Sequence, residues 1–151
     1  MLLLLIALAA SPASTACTKI PKGPIIWREQ HSPLVYVENE PQKVPTTIIE
    51  IYQSGYFTIV QSGETGSNEA LGRSGCLASA QPFAALLKAV TFGYAANSVC
   101  DAVPMTKLVY EAPLRKKKIE TESPCGRELD KSTQALVDAV RAALTAAERG
   151  R

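Results

Sequence analysis

Four cysteines offer the clearest chemistry in this chain, and they stand at positions 17, 76, 100 and 125. No Cys-x-x-Cys pair occurs, and His31 is the only histidine, so the ligand spacing of a zinc site is missing. Cysteines that do not bind metal form disulfides when a chain is exported to an oxidising compartment. We therefore expect disulfides and predict neither a metal site nor a cofactor.

One disulfide is predicted between Cys100 and Cys125. Extended segments on both sides of residue 113 predict a β-hairpin that turns there. In that register Cys100 and Cys125 face each other just beyond the open end of the ladder, where a bridge would contribute about 3 to 4 kcal/mol. The competing pair is Cys76 with Cys125, which would join the starts of two helices and leave Cys100 free.

The sequence shows no catalytic motif. Hydrolytic triads need a histidine, and His31 stands in a proline-rich stretch that we expect to lie outside the folded domain. Gly-x-Ser-x-Gly and phosphate-binding glycine loops are also missing. Two carboxylates would suffice for glycoside hydrolysis, and the candidates are Asp101, Glu111, Glu120 and Glu128. These stand among lysines and arginines, as solvated charges do, so the sequence predicts no catalytic residues.

The one cluster of like charge is Arg115, Lys116, Lys117 and Lys118. On a strand these side chains alternate between two faces, which is typical of an edge strand protected against unwanted pairing. The functional alternative is attraction to an anionic partner, such as lipid headgroups, envelope polymers or an acidic protein. A net charge of +2 and the lack of interleaved aromatic residues argue against nucleic acid.

Residues 1–16 have the pattern of a signal peptide. An apolar run over residues 2–10 is followed by small residues, and nine apolar residues are too few to span a bilayer, which takes about 20 in a helix. Ser14 and Ala16 are the small residues that a signal peptidase prefers before a cut at Cys17. The sequence therefore predicts export and a mature chain that begins with cysteine.

A cysteine at the first mature position resembles the lipobox of bacterial lipoproteins. The resemblance covers Ser14 to Cys17, with serine where that family usually has leucine. It implies acylation of Cys17 and attachment to a membrane. The alternative is a soluble protein of the periplasm or the extracellular space, in which Cys17 forms a disulfide with Cys76.

The surroundings of the other cysteines also resemble small secreted bacterial lipoproteins of uncharacterised activity. This resemblance spans about residues 46–145 and rests on short motifs: Gly75-Cys76-Leu77, Cys100-Asp101-Ala102, Pro124-Cys125-Gly126 and Leu129-Asp130. It implies a location in the cell envelope and no particular activity.

The elements that position these residues predict one disulfide-containing α+β domain over residues 46–151. A proline-rich tether with short extended segments precedes it over residues 17–45. Hairpins are expected over 46–61 and 105–121, with a polar loop over 62–75. Helices are expected after Ser79, ending near Gly93, and after Asp130 or Ser132. The predicted fold is ββαββα, an antiparallel sheet of four or five strands with both helices on one face.

These observations favour an exported, non-catalytic envelope protein that works by binding or as a structural lipoprotein. The alternative is a secreted inhibitor of a protease or another hydrolase, which would present a loop on a disulfide-braced domain.

Overall fold

The computed structural model describes residues 23–38, 40–42, 44–62, 72–78, 81–96 and 102–150. This part of the chain is α+β and contains two helices, a short 3₁₀ turn and eight strands. The strands are β1 (Ile25–Pro33), β2 (Val35–Val37), β3 (Glu40–Gln42), β4 (Thr46–Tyr52), β5 (Tyr56–Ser62), β6 (Gly72–Cys76), β7 (Thr106–Ala112) and β8 (Lys117–Ser123). The helices are α1 (Gln81–Ala89) and α2 (Lys131–Arg149), and the 3₁₀ turn is Pro113–Arg115.

Six of the strands form one antiparallel sheet in the order β6-β5-β4-β1-β7-β8, and β2 pairs only with β3. The predicted α+β class and antiparallel sheet are confirmed. The predicted strand number and the ββαββα order are wrong, because two strands of the sheet lie in segments whose composition does not predict a strand.

The first of these two strands is β1, which lies third from one edge of the sheet and pairs with β4 and β7. The sequence analysis predicts a short extended segment of the tether here, and the structure shows a nine-residue strand inside the sheet. Its prolines flank the strand, with Pro24 before it and Pro33 as its last residue, where a missing N–H costs little. Trp27 and Glu29 alternate toward the interior and are fully buried. Residues 17–22 lie outside the described residues.

The second strand that the sequence did not predict is β6, which falls in the predicted polar loop and pairs with β5 at the sheet edge. Its sequence is rich in glycine and serine and carries no β-branched residue, so it gives no strand signal. Pairing through the backbone, with Tyr56 opposite Cys76, is what makes it a strand. Residues 63–71 of that loop lie outside the described residues.

The two predicted hairpins form, but the second has a different register. The connection between β7 and β8 is the 3₁₀ turn followed by Lys116 in the left-handed region (φ 52°). Four residues therefore connect the strands, and Thr106 faces Ser123. In this register residue 104, not Cys100, would stand opposite Cys125. The register argument for the Cys100–Cys125 bridge was wrong, and Cys100 itself lies outside the described residues.

Both helices contribute to the single hydrophobic core on one face of the sheet. The predicted α2 stripe of Leu136, Val137, Val140 and Leu144 is buried, and Leu87 and Val90 from the α1 region join it. The sheet contributes Trp27, Ile51, Phe57, Ile59, Tyr110, Ala112 and Ile119. Helix α1 ends at Ala89, before the predicted Gly93, and Phe92 has a positive φ of 56°.

Asp130 caps α2, as predicted. Its Oδ1 accepts hydrogen bonds of 2.8 Å from the Thr133 N–H and the Ser132 hydroxyl. Its Oδ2 accepts a 2.5 Å bond from the Thr91 hydroxyl. The Thr91 hydroxyl and the Thr133 N–H are the main reasons why the pKa of Asp130 lies well below its ordinary value. The Asp130 carboxylate therefore caps the N-terminus of α2 and also holds Thr91, in the segment that follows α1, in place.

Candidate functional site

The predicted basic cluster does not form one cationic surface. The side chain of Arg115 contacts the C-terminal end of α1, where it donates hydrogen bonds to the carbonyls of Leu87 and Val90, the latter at 3.0 Å. It therefore satisfies carbonyls at the end of the helix, which otherwise lack partners. Beside it, Ile26, Leu87, Ala112 and Leu114 line an apolar cavity of about 300 Å³. Arg115 is thus a structural residue.

The lysines of the cluster lie at the turn and on the edge strand β8. Lys118 forms ion pairs with Glu120 at 2.9 Å and with Glu111 at 3.9 Å. Hydrogen bonds from Lys107 and Lys118 lower the pKa of Glu120 to about 2. Lys116 and Lys117 are exposed. An anionic partner at this patch stays a prediction.

The carboxylates considered for catalysis are separated by cations. Glu111 pairs with Arg28, which also binds Glu50 at 2.8 Å across the open face of the sheet. Glu120 pairs with the two lysines described above. Asp101 lies outside the described residues. In the described ranges no group of three histidine, cysteine or acidic side chains could hold a metal ion. Glu111 and Glu120 are thus each paired with cations in the described part of the chain.

A polar cluster that the sequence analysis missed lies beneath α2. The side chain of Glu29 is only 1% exposed, and its Oε1 accepts a 2.5 Å hydrogen bond from His31 Nε2. Arg141 of α2 approaches the same oxygen at 3.4 Å and donates a 3.0 Å bond to the Tyr110 hydroxyl. Burial and the nearby Glu29 carboxylate raise the pKa of Tyr110 to about 12.

This cluster compensates a buried charge. A carboxylate away from water needs a cation or hydrogen-bond donors, and His31 and Arg141 supply them. The second oxygen, Oε2, is buried without a partner in the described part of the chain, and so is the indole nitrogen of Trp27. The alternation of Trp27, Glu29 and His31 along one face is the signal that could have placed His31 in the sheet. The prolines around it obscured that pattern.

The exposed apolar residues form a second candidate site. Six large apolar side chains are exposed in the part of the chain that the structure describes: Val35, Tyr36, Val37, Val103, Met105 and Leu114. The first five belong to one end of the sheet, because β2 begins two residues after Pro33, and Pro33 faces Thr106 at the start of β7. We call these five residues the apolar end. Such a concentration is typical of an interaction surface.

The apolar end is held at defined points. The Leu34 N–H donates to the Met105 carbonyl at 2.8 Å, and the Met105 N–H donates to the Ser123 carbonyl at 2.7 Å. The Ala102 N–H lies 3.3 Å from Cys125 Sγ. Val103 is 73% exposed and Met105 69% exposed between these points. The segment therefore presents two apolar side chains to solvent while its backbone is fixed at both ends.

The chain enters the structure at the opposite end of the sheet. Pro24 accepts a 3.0 Å hydrogen bond from Gln53 in the turn between β4 and β5. The nine residues of β1 separate this turn from the apolar end, which is about 26 Å at the usual rise of a strand. Gly23 and Pro24 therefore lie at the end of the sheet opposite the apolar end.

Neither of the two described cysteines is a free thiol; Cys76 and Cys125 are each disulfide-bonded. Cys17 and Cys100 lie outside the described residues, so lipidation of Cys17 and the Cys100–Cys125 bridge stay predictions. Within the described ranges no helix is long and apolar enough to cross a membrane.

Comparison with known proteins gives no relative for this chain: no protein-family model, no curated protein and no solved structure matches it.

Proposed function

We propose that this protein is an exported, non-catalytic binding protein that contacts a protein partner through the apolar end. The observation that carries the proposal is the grouping of five of the six exposed large apolar side chains at one end of the sheet. Exposed apolar area costs solubility, and large contiguous patches mark contact sites in soluble proteins. The export signal in residues 1–16 supports a location in the envelope or outside the cell.

A protein partner fits this surface better than a lipid surface. Glu38 and Glu40 flank the turn between β2 and β3, and their charge would oppose approach to anionic headgroups. Tyr36 and Met105 have the size and character of residues that anchor protein interfaces.

Site-specific photo-crosslinking in the producing cells tests this proposal. A photo-reactive phenylalanine analogue replaces Tyr36 or Met105 and, as the matched control, Leu114, the exposed apolar residue at the other end. We expect a discrete protein adduct from positions 36 and 105 and none from 114. Equal adducts at all three positions, or none at 36 and 105, would contradict the proposal.

A second candidate is inhibition of a secreted protease or another hydrolase. The observation that favours it is the segment 102–105, which exposes Val103 and Met105 between fixed points. A preorganised apolar loop binds an enzyme groove with little loss of conformational entropy. Titration against a panel of purified hydrolases tests this candidate. Stoichiometric inhibition that Met105→Asp abolishes and Leu114→Asp preserves would support it, and no inhibition across the panel would contradict it.

A further inference from the structure

Cys76 and Cys125 lie too far apart to bond to each other. Cys76 ends β6, one edge strand of the sheet, and Cys125 follows β8, the opposite edge strand. Five strand spacings of about 4.8 Å put these edges about 24 Å apart, whereas a disulfide requires Cα atoms within about 7 Å. Their bridges therefore involve other cysteines, and the only others in the chain are Cys17 and Cys100.

Cys100 is restricted to the neighbourhood of Cys125. It stands two residues before Ala102, whose N–H lies 3.3 Å from Cys125 Sγ. Two residues span at most about 7 Å, so Cys100 cannot reach the far edge of the sheet where Cys76 lies. This leaves Cys17 as the intrachain partner for Cys76.

Cys17 has the reach for Cys76. Gly23 lies against Gln53, since a Cβ on Gly23 would stand 3.4 Å from the Gln53 Cβ. The same turn binds the end of β6, because the Leu77 N–H donates to the Gly55 carbonyl at 2.9 Å. Three strand spacings, about 14 Å, separate β1 from β6. The six residues from Cys17 to Gly23 extend up to about 20 Å.

Cys17 lacks the reach for Cys125. Cys125 follows Ser123, which lies two strands from β1 at the level of Pro33. The length of β1, about 26 Å, and two strand spacings put Gly23 about 30 Å from Cys125. A fully extended chain from Cys17 to Gly23 is about 10 Å too short, and a disulfide spans only about 7 Å between Cα atoms.

We propose that Cys17 forms a disulfide with Cys76, leaving Cys100 to pair with Cys125, and that the Cys17 sulfur is therefore not the site of a lipid anchor. A sulfur in a disulfide cannot also form a thioether to a lipid. Each bridge forms when two thiols lose two electrons and two protons to a disulfide-bearing oxidoreductase of the export compartment, which is reduced to its dithiol. The first bridge fastens the chain before β1 to the edge strand β6.

Non-reducing tryptic mapping of the exported full chain tests this pairing, because trypsin places the four cysteines on four peptides. Cys17 lies on the peptide that ends at Lys19, and the others lie on residues 74–88, 89–107 and 119–127. We expect the first joined to 74–88, and 89–107 joined to 119–127. A peptide 74–88 joined to 89–107, to 119–127 or to a second copy of itself would overturn the proposal. So would an acyl group on Cys17.

Thiol labelling under denaturing conditions provides a second readout with a matched control. Wild type should take up no label. Cys76→Ser should take up one label per chain on Cys17, whereas Cys125→Ser should take up one label on residues 89–107 and none on Cys17. Labelling of Cys17 in Cys125→Ser, or its absence in Cys76→Ser, would contradict the pairing. Should Cys76→Ser fail to fold, the wild-type peptide map decides the question alone.

Discussion

His31 donates a 2.5 Å hydrogen bond to the carboxylate of Glu29, which is buried at the centre of the sheet. The carboxylate has little access to water, so water cannot replace a lost partner. Removing His31 therefore costs most of the free energy of leaving a buried charge unpaired. We therefore expect His31→Ala to lower the free energy of unfolding by about 2 to 3 kcal/mol, measured by urea denaturation. The control is Arg28→Ala on the open face, whose ion pairs with Glu50 and Glu111 are only partly buried, so its loss should cost less, about 1 kcal/mol.

A double variant separates lost compensation from lost packing in this cluster. If the buried charge is the cause, Glu29→Gln should recover part of the stability that His31→Ala loses, because a neutral amide needs no cation. Additive losses in the double variant would instead show that His31 acts through packing alone.

The cap on α2 predicts a pH dependence with a definite sign. The pKa of Asp130 is lower in the folded protein than its ordinary value, so the unfolded chain binds more protons as the pH falls. The contribution of Asp130 is therefore complete above about pH 4 and decreases as the pH falls toward the folded pKa. Asp130→Asn should be less stable than wild type at pH 7, and the difference should shrink at pH 2.5. A constant difference would exclude this role for the carboxylate.

Gly93 packs against the same carboxylate. A Cβ at this position would come well inside contact distance of Asp130 Oδ2, so the capping carboxylate would have to move. We expect Gly93→Ala to destabilise the protein by about 1 to 3 kcal/mol, as overpacking does. Gly150→Ala is the control, because its Cβ would meet its nearest neighbour at an ordinary 3.7 Å. Equal thermal midpoints for the two variants would contradict the close approach.

Arg115 provides a test of the basic cluster. Its hydrogen bonds to α1 predict that Arg115→Ala weakens this helix by about 1 to 2 kcal/mol, seen as faster amide exchange over residues 84–89. The control Lys117→Ala removes one of the same four charges. It should leave that exchange unchanged, because Lys117 makes no hydrogen bond to α1 in the described part of the chain. Similar exchange in both variants would mean that Arg115 is only a surface charge.

The elements predicted correctly from the sequence are those in which apolar side chains recur with the period of a strand or of a helix. The β4–β5 hairpin has β-branched residues on both sides of a glycine turn, and α2 has a cap and a stripe of buried residues. β6 is the opposite case, because Gly72 and Gly75 leave only backbone pairing to define the strand. Backbone pairing depends on a neighbour that the local sequence does not reveal.

The candidate sites were harder to predict, because each depends on long-range pairing. His31 faces Thr47 and Leu108 across neighbouring strands. The prolines around it obscure the alternation with Glu29 that indicates a strand, and the local sequence does not reveal that this strand lies in the middle of the sheet. The apolar end is similar: Tyr36 and Met105 are 69 residues apart in sequence and share one end of the sheet only because Pro33 faces Thr106. Exposure of an apolar residue is a property of the fold rather than of its local pattern.

The central claim is that the apolar end binds a protein partner, and retention of that partner on immobilised protein tests it most directly. Three immobilised proteins are incubated with the envelope and extracellular fractions of the producing cells. They are wild type, the double variant Tyr36→Ser with Met105→Ser, and the control Leu114→Ser. Because anchor residues dominate interface energies, we expect wild type and Leu114→Ser to retain the same protein and the double variant to retain at least about tenfold less. Equal retention by the double variant and wild type, with all three proteins equally folded by circular dichroism, would contradict the account.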